Sequence, residues 1–326
     1  MATRTSYPMR CVKAFIRFTL FASTLIGFFA GCTPTRFEGG RSSIDREVLR
    51  EIVVGNETRS YLFHRPTDIA KSAHPPLLIL LHGTHGNASG IAAQTGMNQA
   101  ADRRHFIAVY PNGTGFLRFL TWNTGRCCGS AMAARADDIG FLRAIIREQI
   151  RTEHIDTTRV YIAGFSDGGM MAFRAGCEMG PEIAAIGVVA GRMPDTLCVA
   201  KRPLPVIAFG GTDDQDLAGD HDRYTTPTSF SYAFSLDTSM SFWARHNGCD
   251  VNSKRRKIGA NEIISFRPCR QQSPVELYHV AGGHHEWPGG ATFTKAVGDT
   301  NTLLATRLIV DFLLRHRVRN SVIPRG

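Results

Sequence analysis

Residues 164–168, Gly-Phe-Ser-Asp-Gly, place Ser166 between two glycines at the spacing of a nucleophile elbow. An apolar run over 159–163 precedes the serine and a helix-like run over 169–175 follows it, so Ser166 is predicted to lie on a tight strand-to-helix turn. Glycines at the flanking positions avoid collisions in such a strained turn. The turn exposes the hydroxyl and leaves the next backbone N–H free to bind an oxyanion. Because the chain contains 32 glycines, this pattern also arises by chance, and other segments must supply the partners of Ser166.

Two later loops offer an acid and a base in the order that this architecture requires. A serine hydroxyl becomes a good nucleophile when a base takes its proton and an acid orients that base. After a strand–elbow–helix unit, the expected chain order is serine, acid, histidine, on loops that follow later strands. The candidate acids are Asp213, Asp214 and Asp216, and the candidate bases are His284 and His285. Spacing alone leaves the choice within each set open.

An oxyanion hole needs two backbone N–H donors that point at the developing negative charge. The N–H of Asp167, directly after the serine, is the first expected donor. The loop Leu81-His-Gly-Thr84 follows the third predicted strand, where the second donor is expected. Gly83 permits close approach of the backbone, so we expect the N–H of Thr84 to serve. His82 is an alternative base, but no acid follows it in a suitable place, and we interpret it as a brace of this loop.

The elements that must position these residues alternate between strand-like and helix-like segments. An expected antiparallel hairpin, 51–54 with 59–63, leads the chain. Helical patterns over 90–103, 136–152, 168–178, 238–246 and 300–316 are interspersed with apolar strand-like runs at 76–81, 106–110, 160–163, 186–189, 205–209 and 275–279. This alternation predicts an α/β protein with a mostly parallel sheet and helices on both faces. We expect one catalytic domain over residues 48–320.

Residues 1–31 are predicted to be an export signal. Four basic side chains precede the apolar stretch 18–30, and the segment contains no acidic residue. The apolar stretch is too short to span a membrane comfortably. It ends in Phe-Ala-Gly-Cys32, which resembles the lipobox of bacterial lipoproteins, and ordinary cleavage near Ala30 is the alternative. Residues 32–47 are expected to be a flexible tether, and the protein to be extracellular or periplasmic, with membrane contact only through a lipid on Cys32.

The cysteine content agrees with export. Six cysteines remain after the signal and Cys32, an even number that predicts up to three disulfides in an oxidising compartment. Cys249 and Cys269 flank a basic, loop-like insertion and form the expected local pair. Cys127 and Cys128 are expected to pair with Cys177 and Cys198, in an order that the sequence leaves open.

The spacing of metal-ligating residues and the distribution of charge limit the cofactors and partners that we expect. No cysteine–histidine cluster has zinc spacing, and the expected chemistry requires neither a metal nor an organic cofactor. The chain carries a formal net charge of +10, of which the predicted signal contributes four positive charges. The basic run over 254–257 has no interleaved aromatic residues, and no nucleic-acid-binding motif accompanies it. We therefore expect no nucleic-acid partner.

Several short motifs are spread over residues 48–315: Leu81-His-Gly83, Tyr110-Pro-Asn-Gly113, Trp122-Asn123, Cys127-Cys128, Asp137-Asp-Ile-Gly-Phe141, Gly164-Phe-Ser-Asp-Gly-Gly-Met-Met171 and Gly283-His-His-Glu-Trp-Pro-Gly289. Together they resemble the motifs of the secreted polyhydroxybutyrate depolymerases and feruloyl esterase-like α/β-hydrolases. The resemblance implies the α/β-hydrolase fold and cleavage of carboxylic esters of polymers.

The same resemblance selects within the two sets of candidates. The acid loop of this group, His-Gly-Thr-x-Asp, aligns with residues 210–214 and selects Asp214, and its His-x-Trp-Pro motif selects His285. This chain departs from the pattern in having Gly210 where histidine is usual and His284 where glycine is usual. The resemblance also implies Trp122 and Trp287 as apolar walls of the acyl site, with core packing as the alternative interpretation of both.

The expected function is an exported serine esterase. Its substrates would be polyhydroxybutyrate-type polyesters and their oligomers, or acetyl and feruloyl esters of polysaccharides. A serine peptidase like prolyl oligopeptidase is one alternative, although the sequence has no propeller-length insertion. A non-catalytic surface binding protein on the same fold is another, although such proteins usually lose a member of the triad.

Overall fold

A computed structural model describes residues 47–70, 73–117, 119–125, 127–194, 198–215, 234–250, 252–291 and 303–318. The expected export signal, Cys32, all of the expected tether except residue 47, and the alternative acid Asp216 lie outside these ranges. No helix within them is long and apolar enough to cross a lipid bilayer.

The described residues form a ten-stranded sheet, a separate two-stranded hairpin and seven α-helices. The strands are β1 (Glu47–Val54), β2 (Glu57–His64), β3 (Leu77–Leu81), β4 (Ile107–Pro111), β5 (Thr114–Phe116), β6 (Phe119–Thr121), β7 (Val160–Phe165), β8 (Ala185–Val189), β9 (Val206–Gly211), β10 (Lys254–Ile258), β11 (Asn261–Phe266) and β12 (Val275–Val280). The helices are α1 (Ala88–Thr95), α2 (Met97–Arg104), α3 (Gly129–Ala133), α4 (Asp138–Glu153), α5 (Asp167–Met179), α6 (Leu236–His246) and α7 (Ala305–Leu313). A short 3₁₀ segment covers Arg270–Gln272.

The large sheet has the order β1-β2-β4-β3-β7-β8-β9-β12-β11-β10. Strands β4, β3, β7, β8, β9 and β12 are parallel to one another, and antiparallel strands complete both edges. β5 pairs with β6 outside this sheet. The parallel centre and the leading hairpin confirm the predicted α/β-hydrolase fold.

Helices cover both faces of the parallel centre. Helices α4, α5 and α6 pack on one face, against side chains such as Ile79 and Ile162. Helices α1, α2 and α7 pack on the other face, against Leu80 and Ala163. Successive side chains of a strand point to opposite faces, so a strand covered on both sides must be apolar throughout. This requirement explains the continuous apolar runs seen in the sequence.

Two local elements differ from the predictions. The helix expected over 90–103 is divided into α1 and α2, because Gly96 takes a left-handed conformation at φ +61° and its N–H caps α1 on the carbonyl of Ala92. The expected loop-like insertion between Cys249 and Cys269 instead contains β10 and β11. These two strands extend the sheet beyond β12, and Gly259 at φ +59° makes the tight turn between them.

The disulfide pairing is partly as predicted. Cys249 bonds to Cys269, as expected. The expectation that Cys127 and Cys128 pair with Cys177 and Cys198 is wrong: Cys177 bonds to Cys198, and Cys127 bonds to its neighbour Cys128. The reason for this pairing lies in the tertiary packing. Cys177 on α5 and Cys198 pack against the same apolar core, with their Cα atoms 5.3 Å apart, whereas the carbonyl of Cys127 accepts a local hydrogen bond from the Thr124 hydroxyl.

Candidate active site

Ser166 occupies the sharp turn between β7 and α5. Its backbone has φ +53° and ψ −117°, a conformation that is strained for a residue with a side chain. The N–H of Ser166 donates to the carbonyl of Val189 on β8, 2.8 Å away, which holds the turn in place. The flanking glycines are needed sterically, because a Cβ on Gly164 would collide with the backbone of Gly168.

The structure brings Ser166, Asp214 and His285 together. Nε2 of His285 lies 2.8 Å from Oγ of Ser166, and Nδ1 lies 3.0 and 3.2 Å from the two carboxylate oxygens of Asp214. Asp214 follows β9 and His285 follows β12, so three parallel strands deliver the three groups to one edge of the sheet. The Asp214 side chain is fully buried, whereas the alternatives Asp213 and His284 are exposed.

This chain of contacts can move a proton. With Nδ1–H donating to Asp214, Nε2 of the neutral imidazole accepts the hydrogen of the Ser166 hydroxyl. Attack of Oγ on an electrophilic carbon would then pass that proton to Nε2, and the buried carboxylate would stabilise the resulting imidazolium.

The Leu81–Thr84 loop lies directly against the elbow. A Cβ on Gly83 would be 3.1 Å from Cβ of Ser166 and 3.0 Å from Cδ1 of Phe165, so a side chain at residue 83 would push the two segments apart. Thr84, the expected second oxyanion donor, is the next residue and is exposed.

His82 acts as a brace of this loop, as the sequence indicated. Its Nδ1–H donates to the carbonyl of Gly83 at 2.7 Å, and its Nε2 accepts the N–H of Gly113 at 3.0 Å. Burial lowers the pKa of His82 to about 4, so the ring is neutral at neutral pH. One ring nitrogen therefore holds Gly83 and the other holds Gly113.

Asp167 begins α5, where the helix dipole is positive and the first N–H groups have no partner within the helix. The residue is 2% exposed, and its Oδ2 accepts the N–H of Trp122 at 2.8 Å. Burial raises the pKa of Asp167 to about 7, against the opposing effect of the Trp122 bond. The sequence interpretation used only the backbone of this residue; a polar side chain on a helix start gave no signal that it would turn inward.

The two tryptophans are buried, as the core-packing interpretation predicts. Trp122 is fully buried and its Nε1–H donates to the carbonyl of His82 at 2.9 Å. Trp287 is 2% exposed and its Nε1–H donates to the Thr306 hydroxyl at 2.9 Å. Buried indoles need such partners. This burial favours core packing over the implied role of both rings as walls of the acyl site, and that role stays a prediction.

One group of side chains near the elbow has spacing that a metal ion could use. The ligand atoms of Cys127, Cys128 and Asp167 lie within 4.8 Å of one another. The two sulfur atoms are bonded to each other, so they do not present the thiolates that soft metal ions bind.

Comparison with known proteins places these residues in a family. The family model described as esterase PHB depolymerase matches residues 59–215, which include Ser166 and Asp214. NocK of Nocardia uniformis subsp. tsuyamanensis, a provisionally assigned esterase, is 30% identical over 81% of this chain and 82% of its own length. Feruloyl esterase B of Piromyces equi is 28% identical over 70% of this chain, but the match spans only 42% of that longer protein.

Solved structures agree at the level of fold. An acetyl xylan esterase from Aspergillus awamori superposes with a TM-score of 0.55 over 73% of this chain and 94% of its own. Its sequence is 14% identical, so this likeness concerns the fold alone. From the extent of the sequence match to NocK, together with the matching family model, the chain belongs to the esterase PHB depolymerase family of α/β-hydrolases and is a carboxylic ester hydrolase.

Proposed function

We propose that this esterase is an exported serine hydrolase that works through an acyl-enzyme. The observation that carries the proposal is the hydrogen-bonded chain from Asp214 through His285 to Ser166 at the strained turn. His285 takes the hydroxyl proton as Oγ attacks the ester carbonyl. Asp214 keeps the imidazole in the required tautomer and stabilises its charged form.

The negative charge of the tetrahedral intermediate is held by the N–H groups of Asp167 and Thr84. The contact between Gly83 and the elbow supports this assignment, because it places the Thr84 segment beside Ser166. His285 then protonates the departing alcohol. A water molecule, activated by the same imidazole, attacks the acyl-enzyme and releases the acid. The scheme requires no metal or organic cofactor.

The proposed substrates are polyhydroxybutyrate-type esters or acetyl and feruloyl esters of polysaccharide. The family description supports the first class, and the name of the relative from Piromyces supports the second. A groove of about 1000 Å³ lies at the same edge of the sheet, near the start of β2, and polar side chains including Ser60, Asn87 and Asn112 line it. Ser166, Asp214 and His285 are not among the described residues that line this groove, so product analysis must decide between the two classes.

The principal test is hydrolysis of p-nitrophenyl butyrate by the full-length protein and its Ser166→Ala variant. We expect kcat to fall by at least about 10³-fold, because loss of the nucleophile leaves only binding and oxyanion stabilisation. His284→Ala is the matched control: its side chain is exposed beside His285, and its rate should equal that of the parent. A Ser166→Ala protein with the parental rate would refute the proposal.

Two further measurements separate the alternatives. Product analysis on polyhydroxybutyrate oligomers and on acylated xylo-oligosaccharides identifies the ester class, and an acyl-peptide substrate tests for peptidase activity. A fluorophosphonate probe should label Ser166, whereas a non-catalytic binding protein would stay unlabelled. We also propose a lipid on Cys32 after removal of residues 1–31, which mass spectrometry of the mature N-terminus would detect.

A further inference from the structure

The carboxyl group of Asp167 has no part in the proposed mechanism, which uses only the N–H of this residue. Yet the group is buried next to the nucleophile, and Oδ1 has no hydrogen-bond partner among the described residues. Burying a carboxyl group with an unused oxygen is costly. Because this cost arises one residue after Ser166, we expect the buried carboxyl group of Asp167 to have a role that offsets it.

The contacts of Asp167 join the segments that carry the two proposed oxyanion donors. Oδ2 accepts the N–H of Trp122, and the indole N–H of Trp122 donates to the carbonyl of His82. His82 bonds to Gly83, and Gly83 lies against Ser166. These contacts therefore form a continuous ring, which runs from Asp167 through Trp122, His82 and Gly83 back to Ser166. The Thr84 side chain is also close enough to this carboxyl group to lower its pKa, against the larger effect of burial.

The surroundings of this carboxyl group favour its uncharged form. Burial raises its pKa to about 7, and the charge of Asp138 on α4 adds to the effect. The cations on this side act on Asp138: Arg59 from β2 bonds to it at 2.8 Å, and Arg174 on α5 bonds to the neighbouring Asn123 carbonyl. The nearby Cys127 and Cys128 sulfurs form a disulfide and carry no charge.

A negative charge at Asp167 would also oppose catalysis. Like charges repel strongly in a site of low dielectric constant, and the oxyanion forms beside the backbone of this same residue. A neutral carboxyl group keeps its acceptor for the Trp122 N–H without that repulsion.

We propose that Asp167 is a positioning residue whose uncharged carboxyl group holds the Trp122 and Thr84 segments against the elbow, so that both oxyanion donors face one point. This inference rests on the proposed function. The inference adds a second protonation requirement for activity. His285 must be unprotonated to act as a base, and Asp167 must be protonated to hold the donors without charge.

The test compares Asp167→Asn and Asp167→Ala in the full-length protein with p-nitrophenyl butyrate. The asparagine variant keeps an oxygen for the Trp122 N–H and cannot ionise. We expect the ratio of its kcat to the parental kcat to rise about tenfold between pH 6 and pH 8, as the parental carboxyl group ionises. Taking the ratio cancels the titration of His285. Asp167→Ala should lower kcat by about 10- to 100-fold with KM changed less than about threefold, because the donors lose their alignment.

Asp213→Asn is the matched control, since this exposed aspartate lies in the acid loop and its kcat ratio should be constant with pH. A constant ratio for Asp167→Asn over the same range would overturn the inference, as would an alanine variant with parental kcat. If the alanine variant does not fold, as judged by circular dichroism, the asparagine ratio alone decides. A Ser166→Ala protein that stays active would instead refute the proposed function, so the two failures are distinguishable.

Discussion

Gly168, the second residue of α5, offers a direct test of how the elbow is packed. A Cβ at this position would lie 2.5 Å from the carbonyl oxygens of Leu81 and His82 and 2.7 Å from the carbonyl carbon of Leu81. Ordinary contact begins near 3.4 Å, so Gly168→Ala must separate the start of α5 from the end of β3 by about 1 Å. The opposing atoms belong to the backbone, and no side-chain rotation can relieve the overlap.

The separation should affect both stability and catalysis. Overpacking of this kind costs about 1–3 kcal/mol of the free energy of unfolding. The same movement takes the Thr84 segment away from Ser166 and Asp167, and a displacement of about 1 Å at a reacting centre lowers rates by about 10²-fold. With p-nitrophenyl butyrate as substrate, we expect this loss in kcat, while KM changes little. Urea denaturation measures the change in the free energy of unfolding.

Gly90→Ala is the matched control for Gly168→Ala. Gly90 lies within α1, and a Cβ there would meet nothing closer than Oδ1 of Asn87 at 3.4 Å. Its activity should be parental and its free energy of unfolding unchanged or raised by up to about 1 kcal/mol, because alanine favours a helix. A Gly168→Ala protein with parental stability would show that β3 and α5 are not in contact as described. Lost stability with parental kcat would refute the link between this packing and the oxyanion donors.

Three further outcomes are expected. Asp214→Ala should lower kcat by about 10⁴-fold while Asp213→Ala stays close to the parental rate, and equal losses would contradict the choice of acid. Burial lowers the pKa of His82 to about 4, against 6.5 for an exposed histidine. As pH falls, the His82 imidazole is therefore protonated in the unfolded chain before it is protonated in the folded one. The free energy of unfolding should decrease by about 3 kcal/mol between pH 6.5 and 4. Urea denaturation at both pH values checks this, and His82→Gln should reduce the pH dependence. Replacing Cys177 and Cys198 together by alanine should cost about 2–4 kcal/mol, measured by denaturation without reductant, and an unchanged midpoint would argue against the bond.

Much of the architecture follows from local patterns. The continuous apolar runs identify buried parallel strands, since a strand covered by helices on both faces must be apolar along its whole length. The glycines around Ser166 identify a sharp turn, because that turn leaves no room for side chains at either flank. The acid and base loops could be located in order, since the carboxyl ends of parallel strands meet at one edge of a sheet.

Other features depend on contacts between distant segments, which spacing does not encode. Burial distinguishes Asp214 from exposed Asp213, and depends on how the loop after β9 packs. The pairing of Cys177 with Cys198 depends on where α5 meets the core.

For the site around Ser166, some features can likewise be predicted from the sequence, and others are visible only in the fold. The residue types, their order and the glycines of the elbow can be recognised in the chain as written. The inward turn of the Asp167 carboxyl group and the burial of Trp122 became evident only in the folded molecule. Whether a side chain faces solvent or core is set by long-range packing, and that packing decides the electrostatics of this site.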